Sequence, residues 1–150
     1  MKIAKWLGYV CGALLLLQVM VVLWGILSRS MLGQQATWTV ELSRYLLVWI
    51  SLLGAAYATA NRQHIAIQLL PDRLPEKRKI GLQRLIDGLV ALFALVVLVI
   101  GGMRYVYLSL SLGQRSPALD ILVGYVYLAV PLSGLFILYF LTKDLLHGRP

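Results

Sequence analysis

Negative charge is scarce in this chain. Six Asp and Glu residues stand against fourteen Lys and Arg in 150 residues, and none precedes Glu41. Cysteine is scarcer still: Cys11 alone permits neither a disulfide framework nor a thiolate metal site. Histidine occurs twice, at His64 and His147, both just outside long apolar runs, so no pair of axial ligands can hold haem between helices. Internal repeats, low-complexity tracts and long linkers are absent, which leaves one domain, residues 1–150, as the expected organisation.

Apolar residues are abundant. They make up 60% of the chain against 13% charged, with a mean hydropathy of +0.81, outside the range of an ordinary soluble domain. A bilayer core of about 30 Å takes about 20 helical residues to cross. The charge-free runs 6–28 and 121–142 are long enough alone. The runs 45–61 and 88–103 must borrow a turn from flanking residues such as Glu41, Arg44, Asp87 and Arg104, with the long basic side chains reaching the headgroups. The predicted class is an all-α integral membrane protein with four transmembrane helices, over about 7–28, 41–61, 84–107 and 119–141. Lys2 and Lys5 resemble the start of a signal peptide, but the following run is too long and lacks a small-residue cleavage site, so a retained helix is expected.

Orientation follows from the basic residues. The amino end (Lys2, Lys5), the middle loop (Arg62, Arg73, Lys77, Arg78, Lys79, Arg84) and the carboxyl end (Lys143, Arg149) hold ten of the fourteen; Arg29, Arg44, Arg104 and Arg115 lie on the other side. Loops rich in Lys and Arg stay in the cytoplasm, which predicts both termini cytoplasmic. The net charge of +8 is then mostly topology, and no segment between spans is long enough to form a nucleic-acid-binding domain. The same basic cluster favours anionic lipid.

Buried polar groups mark transport and redox sites in membranes. Here only Gln18, Ser51, Thr59 and Ser133 lie deep, and none carries a proton or pairs strongly with an ion. A small four-helix exporter would need an acid in its first span, and residues 6–28 hold none. What the spans do have is packing equipment. Gly8 and Gly12 form a Gly-x-x-x-Gly pair, Ser51, Ala55 and Thr59 repeat every four residues beside Gly54 and Ala58, and Gly101 and Gly102 are expected to end the third helix. These either pack the bundle or receive another subunit. Trp6, Trp24, Trp38 and Trp49, with Tyr45 among several tyrosines, fall near the expected interfaces as an aromatic belt. Pro131, near the middle of the fourth span, removes a backbone donor and is expected to kink it.

Two stretches carry a family likeness. The segment "WTVELSRYLLVWISLLGAAYATANRQHIAIQLLPDRLP" resembles the second helix and following loop of the small membrane subunit (Q-type, DctQ-like) of TRAP transporters, the tripartite ATP-independent periplasmic carriers. The matching positions are Trp38, Glu41, Arg44, Tyr45, Trp49, Gly54, Ala55, Arg62, His64, Ile65, Leu74 and Pro75. The segment "SPALDILVGYVYLAVPLSG" is similar to the start of that family's last helix through Ser116, Ala118, Leu119, Pro131 and Gly134. The chain departs from the family pattern at Val40, Gln63, Gln68 and Leu122.

The resemblance implies a role without catalysis: an inner-membrane subunit that braces the scaffold of a large, elevator-type membrane subunit. Sodium drives organic-acid import there and an extracytoplasmic substrate-binding protein delivers the solute, with the coupling sodium in the large subunit and no cofactor in this chain. Candidate subunit contacts are Glu41, Arg44, Tyr45, Trp49, Gly54, Ala55 and Ala58. Glu41 and Arg44, three apart on one helical face, are expected to pair with each other or with a neighbouring subunit. His64 is expected to cap carbonyls at the end of the second helix, ahead of a segment from Ile65 to Leu74 lying in the interface plane between helices 2 and 3. Ser116 before Pro117 reads as the N-cap of the fourth helix, with Asp120 complementing its dipole and an exposed contact for the binding protein as the other use. The alternative class is a self-contained small membrane protein, either a homo-oligomeric exporter or an assembly factor.

Overall fold

Long apolar runs become helices because a backbone in hydrocarbon has no water to bond, and the α-helix satisfies its N–H and C=O groups within one segment. The computed structural model describes residues 2–34, 36–61 and 76–146. Six α-helices and one π-helical segment account for most of them. They are α1 (Lys2–Leu32), α2 (Thr37–Ala60), α3 (Glu76–Phe93), a π segment (Ala94–Gly101), α4 (Gly102–Ser111), α5 (Val123–Tyr127) and α6 (Ala129–Leu146). Four stretches are long and apolar enough to cross a membrane: Ile3–Met31, Thr37–Ala60, Arg84–Ser111 and Val123–Lys143. His64 and the expected interfacial segment lie outside the described residues.

Helix ends follow local chemistry. α1 stops at Leu32 because Gly33 takes φ +68°, and α4 stops before Gly113, at φ +62°; a left-handed residue just past a helix is the glycine-favoured stop signal. Arg29 in the last turn of α1 complements its dipole. The short turn to α2 is tied by Ser28, whose hydroxyl donates to the Gly25 carbonyl at 3.0 Å and accepts from the Ala36 N–H at 3.4 Å. Buried Thr39 closes the turn by donating from Oγ1 to the Ala36 carbonyl at 2.6 Å.

The spans are unequally buried. In the fourth span 44% of the most apolar window is inside the protein, against 11% in the first and third. The fourth span is thus the centre, with α2 on one side and the π segment with α3 on another, while α1 packs chiefly on α2. The core sits toward the end where α1 begins: Ala4 and Leu7, Leu53, Ala56 and Ala60, Ala94, and Ile137, Phe140 and Leu141 form one cluster. Leu16, Met20, Trp24, Leu89, Leu92 and Ile100 are instead exposed. That distribution suits a surface facing lipid or another membrane protein, where apolar side chains lose nothing by pointing outward.

Glycines set the seam between the third and fourth spans. A Cβ on Gly134 would lie 2.8 Å from Leu98 Cβ and 3.3 Å from the Ala94 carbonyl oxygen. One on Gly102 would meet Val130 Cγ1 at 2.9 Å and the Pro131 nitrogen at 3.2 Å, and one on Gly124 would meet the Leu110 side chain at 2.6 Å. The backbones therefore approach as only glycine allows. Gly101 and Gly102 do not end the third helix, contrary to the sequence expectation. Both keep helical φ and ψ and join the π segment to α4, and Gly102 uses its small size at the Pro131 contact. Pro131 itself acts as expected on hydrogen bonding. It cannot donate to Tyr127, and the fourth span is interrupted at Leu128, between α5 and α6.

Gly134→Ala is expected to destabilise the protein by about 1–3 kcal/mol through overpacking. Gly54→Ala, whose Cβ meets nothing within 4 Å, should be neutral or stabilising by up to about 1 kcal/mol. Unfolding midpoints in detergent, followed by circular dichroism, check the pair; equal midpoints would contradict the seam.

Candidate functional site

Most hydroxyls of the spans are satisfied inside their own helix. Thr59 Oγ1 donates to the Ala55 carbonyl at 3.0 Å, Ser133 Oγ to Val130 at 2.8 Å and Thr142 Oγ1 to Leu138 at 2.8 Å, the back-bonding typical of such side chains within helices. Gln18 differs, because its Oε1 is buried without a partner. No group of three His, Cys, Asp or Glu side chains able to hold a metal occurs among the described residues.

The polar construction lies at the end of the bundle that carries the α1–α2 turn and the 112–122 loop. Glu41, in the second turn of α2, extends its carboxylate across to that loop. Oε2 accepts the Ser116 hydroxyl, the Ala118 N–H at 3.1 Å and the Leu119 N–H at 3.2 Å. Ser116 is 2% exposed. The loop is ordered by its own bonds: Ser116 N–H donates to the Ile121 carbonyl and Val123 N–H to Gln114, both at 2.9 Å, around an isolated antiparallel bridge of Arg115 and Leu122. Buried Ser109 donates to Gln114 Oε1 at 3.0 Å, tying the loop to α4. Arg115 donates to Asp120 Oδ2 at 3.0 Å on the solvent side.

This arrangement revises three sequence expectations. Ser116 does not cap the fourth span, which starts at Val123; it caps a single turn, accepting from Leu119 N–H at 3.3 Å while Asp120 N–H returns to the Ser116 carbonyl at 3.0 Å. Asp120 sits at φ +50°, where the turn ends, and pairs with Arg115 instead of complementing the dipole of α5. A short polar residue tolerates that left-handed conformation better than most. Glu41 does not bridge to Arg44. The three donors of the turn engage it, and Arg44 is exposed, acting on the carboxylate by charge without an ion pair among the described residues.

The other candidates divide between two faces of α2. Trp49 packs against the protein's own core, beside Leu53 and Ala56 on the buried side. Tyr45 is half-buried. Ala55 is exposed, Gly54 and Ala58 are half-buried, and space is open at Gly54. The bundle therefore leaves this small-residue face uncovered. Near the polar end Tyr105 and Tyr127 meet edge to face, centroids 4.6 Å apart, joining α4 to α5.

Four apolar spans around a small core, with most polar groups bonded locally and one carboxylate tying helix to loop, define a multi-pass integral membrane component. The family model for the DctQ component of tripartite ATP-independent periplasmic transporters matches residues 18–149, and the chain belongs to that family. It is accordingly a TRAP transporter small permease subunit of the bacterial inner membrane. It is 26% identical over 135 residues to a putative TRAP transporter small permease protein of Haemophilus influenzae, covering 90% of this chain and 82% of the relative. The C4-dicarboxylate TRAP transporter small permease protein DctQ of Rhodobacter capsulatus is 33% identical over 110 residues, covering 72% of this chain and 47% of that one. The isethionate TRAP transporter permease protein DctMQ of Oleidesulfovibrio alaskensis is 31% identical over 110 residues; the match takes up 73% of this chain and 17% of that much longer permease.

Ser116→Ala removes both a turn cap and a donor to Glu41, and is expected to cost about 1 kcal/mol. Arg115→Gln, which breaks only an exposed pair, should stay within about 0.5 kcal/mol of wild type. Unfolding midpoints in detergent report the difference.

Proposed function

We propose that this chain is the non-catalytic small membrane subunit of a sodium-driven transporter importing an organic acid, where it braces the scaffold of a large elevator-type subunit. The observation carrying this reading is the uncovered face of α2 at Gly54, Ala55 and Ala58, small residues that let a second helix approach closely. An elevator needs one part held fixed in the bilayer. Exposed Trp6, Trp24 and Trp38 supply interfacial anchors, and the spans offer local packing instead of a chain of ionisable groups. The coupling sodium and the organic acid then belong to the large subunit, and an extracytoplasmic substrate-binding protein presents the solute. The long DctMQ relative, which carries a segment similar to this chain inside a larger permease, supports a polytopic partner. Both termini are cytoplasmic in this reading. Glu41 and the 112–122 loop then face the periplasm, and the basic residues of the opposite end meet anionic lipid.

Co-purification tests the assignment. A tagged chain expressed with the large permease subunit of its transporter should retain it in detergent, and liposomes holding this chain alone should take up no solute under a sodium gradient. Uptake by the chain alone would favour a self-contained transporter. Gly54→Leu should leave the isolated subunit folded yet reduce recovery of the large permease at least about tenfold, a loss ordinary for a blocked close-packed contact; undiminished recovery would move the interface elsewhere. A carboxyl-terminal reporter active only in the periplasm would reverse the orientation.

A further inference from the structure

The turn 116–119 brings three donors to one point. The Ser116 hydroxyl and the N–H groups of Ala118 and Leu119 all reach Glu41 Oε2, from a segment 75 to 78 residues away in sequence. A hydroxyl beside two nearby backbone N–H groups forms a concave nest whose complement is an anion, and a carboxylate oxygen accepts several such donors at once. The turn also stands on two bonds that do not involve Glu41, Asp120 N–H to the Ser116 carbonyl and Ser116 N–H to the Ile121 carbonyl, while Leu119 N–H is shared between Glu41 and Ser116 Oγ. The nest is therefore shaped by its own loop, and the glutamate arrives as its occupant. The charge of Arg115 is engaged with Asp120 on the solvent side.

We infer that residues 116–119 are a receptor for a carboxylate group, filled in cis by Glu41, so that the contact is a latch between α2 and the 112–122 loop. A small free carboxylate such as formate can occupy the nest once the Glu41 side chain is removed. Glu41 is thus a positioning residue for the loop. The latch concerns this chain alone and stands whether or not the transporter reading holds.

Hydrogen exchange of the full chain in detergent, read by mass spectrometry, tests it. In Glu41→Ala, exchange over 112–122 should rise about tenfold while the spans stay protected, as expected for a local opening. Formate should restore protection to Glu41→Ala, whereas chloride at the same ionic strength should not, and formate should leave the Glu41→Ala, Ser116→Ala double variant fast. Unchanged exchange in Glu41→Ala overturns the latch; equal rescue by chloride, or rescue of the double variant, overturns the receptor. Should Glu41→Ala fail to fold, Glu41→Gln probes the latch with the Ser116 turn cap in place. A rise of about threefold confined to 112–122 supports the inference, and none overturns it.

Discussion

The absence of water from the hydrocarbon core governs everything else in this protein. Every backbone N–H and C=O in a span must find a partner along the chain, which makes each span a helix. The same constraint reaches the side chains. Thr59, Ser133 and Thr142 bond back to carbonyls three or four residues earlier, and the two short connections close on the hydroxyls of Ser28, Thr39, Ser109 and Ser116. Gln18, whose Oε1 is buried without a partner, is the exception among the described residues, and the built polar contact lies at the end of the bundle, between Glu41 and the 116–119 turn.

With no hydrophobic drive between helices in lipid, cohesion depends on how closely backbones approach. Gly102, Gly124 and Gly134 bring the third and fourth spans together at distances that exclude a methyl group. Gly8 does the same for α1 against the ring of Tyr57, whose Cε2 would lie 2.9 Å from an added Cβ. α2 carries small residues on two sides. Ala56 and Ala60 serve the core, while Gly54 and Ala55 look away from it. One helix thus has the surface for two close neighbours, of which this chain supplies one side.

The spans were legible in the sequence because hydrocarbon thickness imposes a run length that charges interrupt. The missing donor of Pro131 was legible too, and the helix is interrupted at Leu128, beside the carbonyl that loses it. The partner of Glu41 was not. Three residues of spacing offered Arg44 or a neighbouring subunit, whereas the actual donors are two backbone N–H groups and a hydroxyl far along the chain, and backbone groups leave no signature in residue identity. Ser116, Pro117 and Asp120 did signal a capped turn, but not that the turn ends at once, because Asp120 adopts the conformation sequence rules reserve mainly for glycine. The π segment from Ala94 to Gly101 was silent. Its run of Ala, Leu, Val and Ile reads like any apolar helix, and no local physical cause distinguishes it. The open space at Gly54 depends on which helices flank α2, a tertiary fact that a glycine beside alanines cannot announce.

The most enclosed span is also the fourth to be made. Chains lengthen from the amino end at about 5–20 residues per second, and their parts fold as they emerge. α1 and α2 can meet as a hairpin early, yet Leu53 and Ala56 of that hairpin and Ala94 of the third span join a common core only with Ile137, Phe140 and Leu141. Until the ribosome has released those residues, the first three helices stand in the bilayer around an unfilled centre. The glycine seam, open for that interval, is where a lipid chain or a foreign helix would first intrude. A truncation within α6 should therefore take Ile137, Phe140 and Leu141 out of that core and leave Leu7, Leu53, Ala56 and Ala94 without cover.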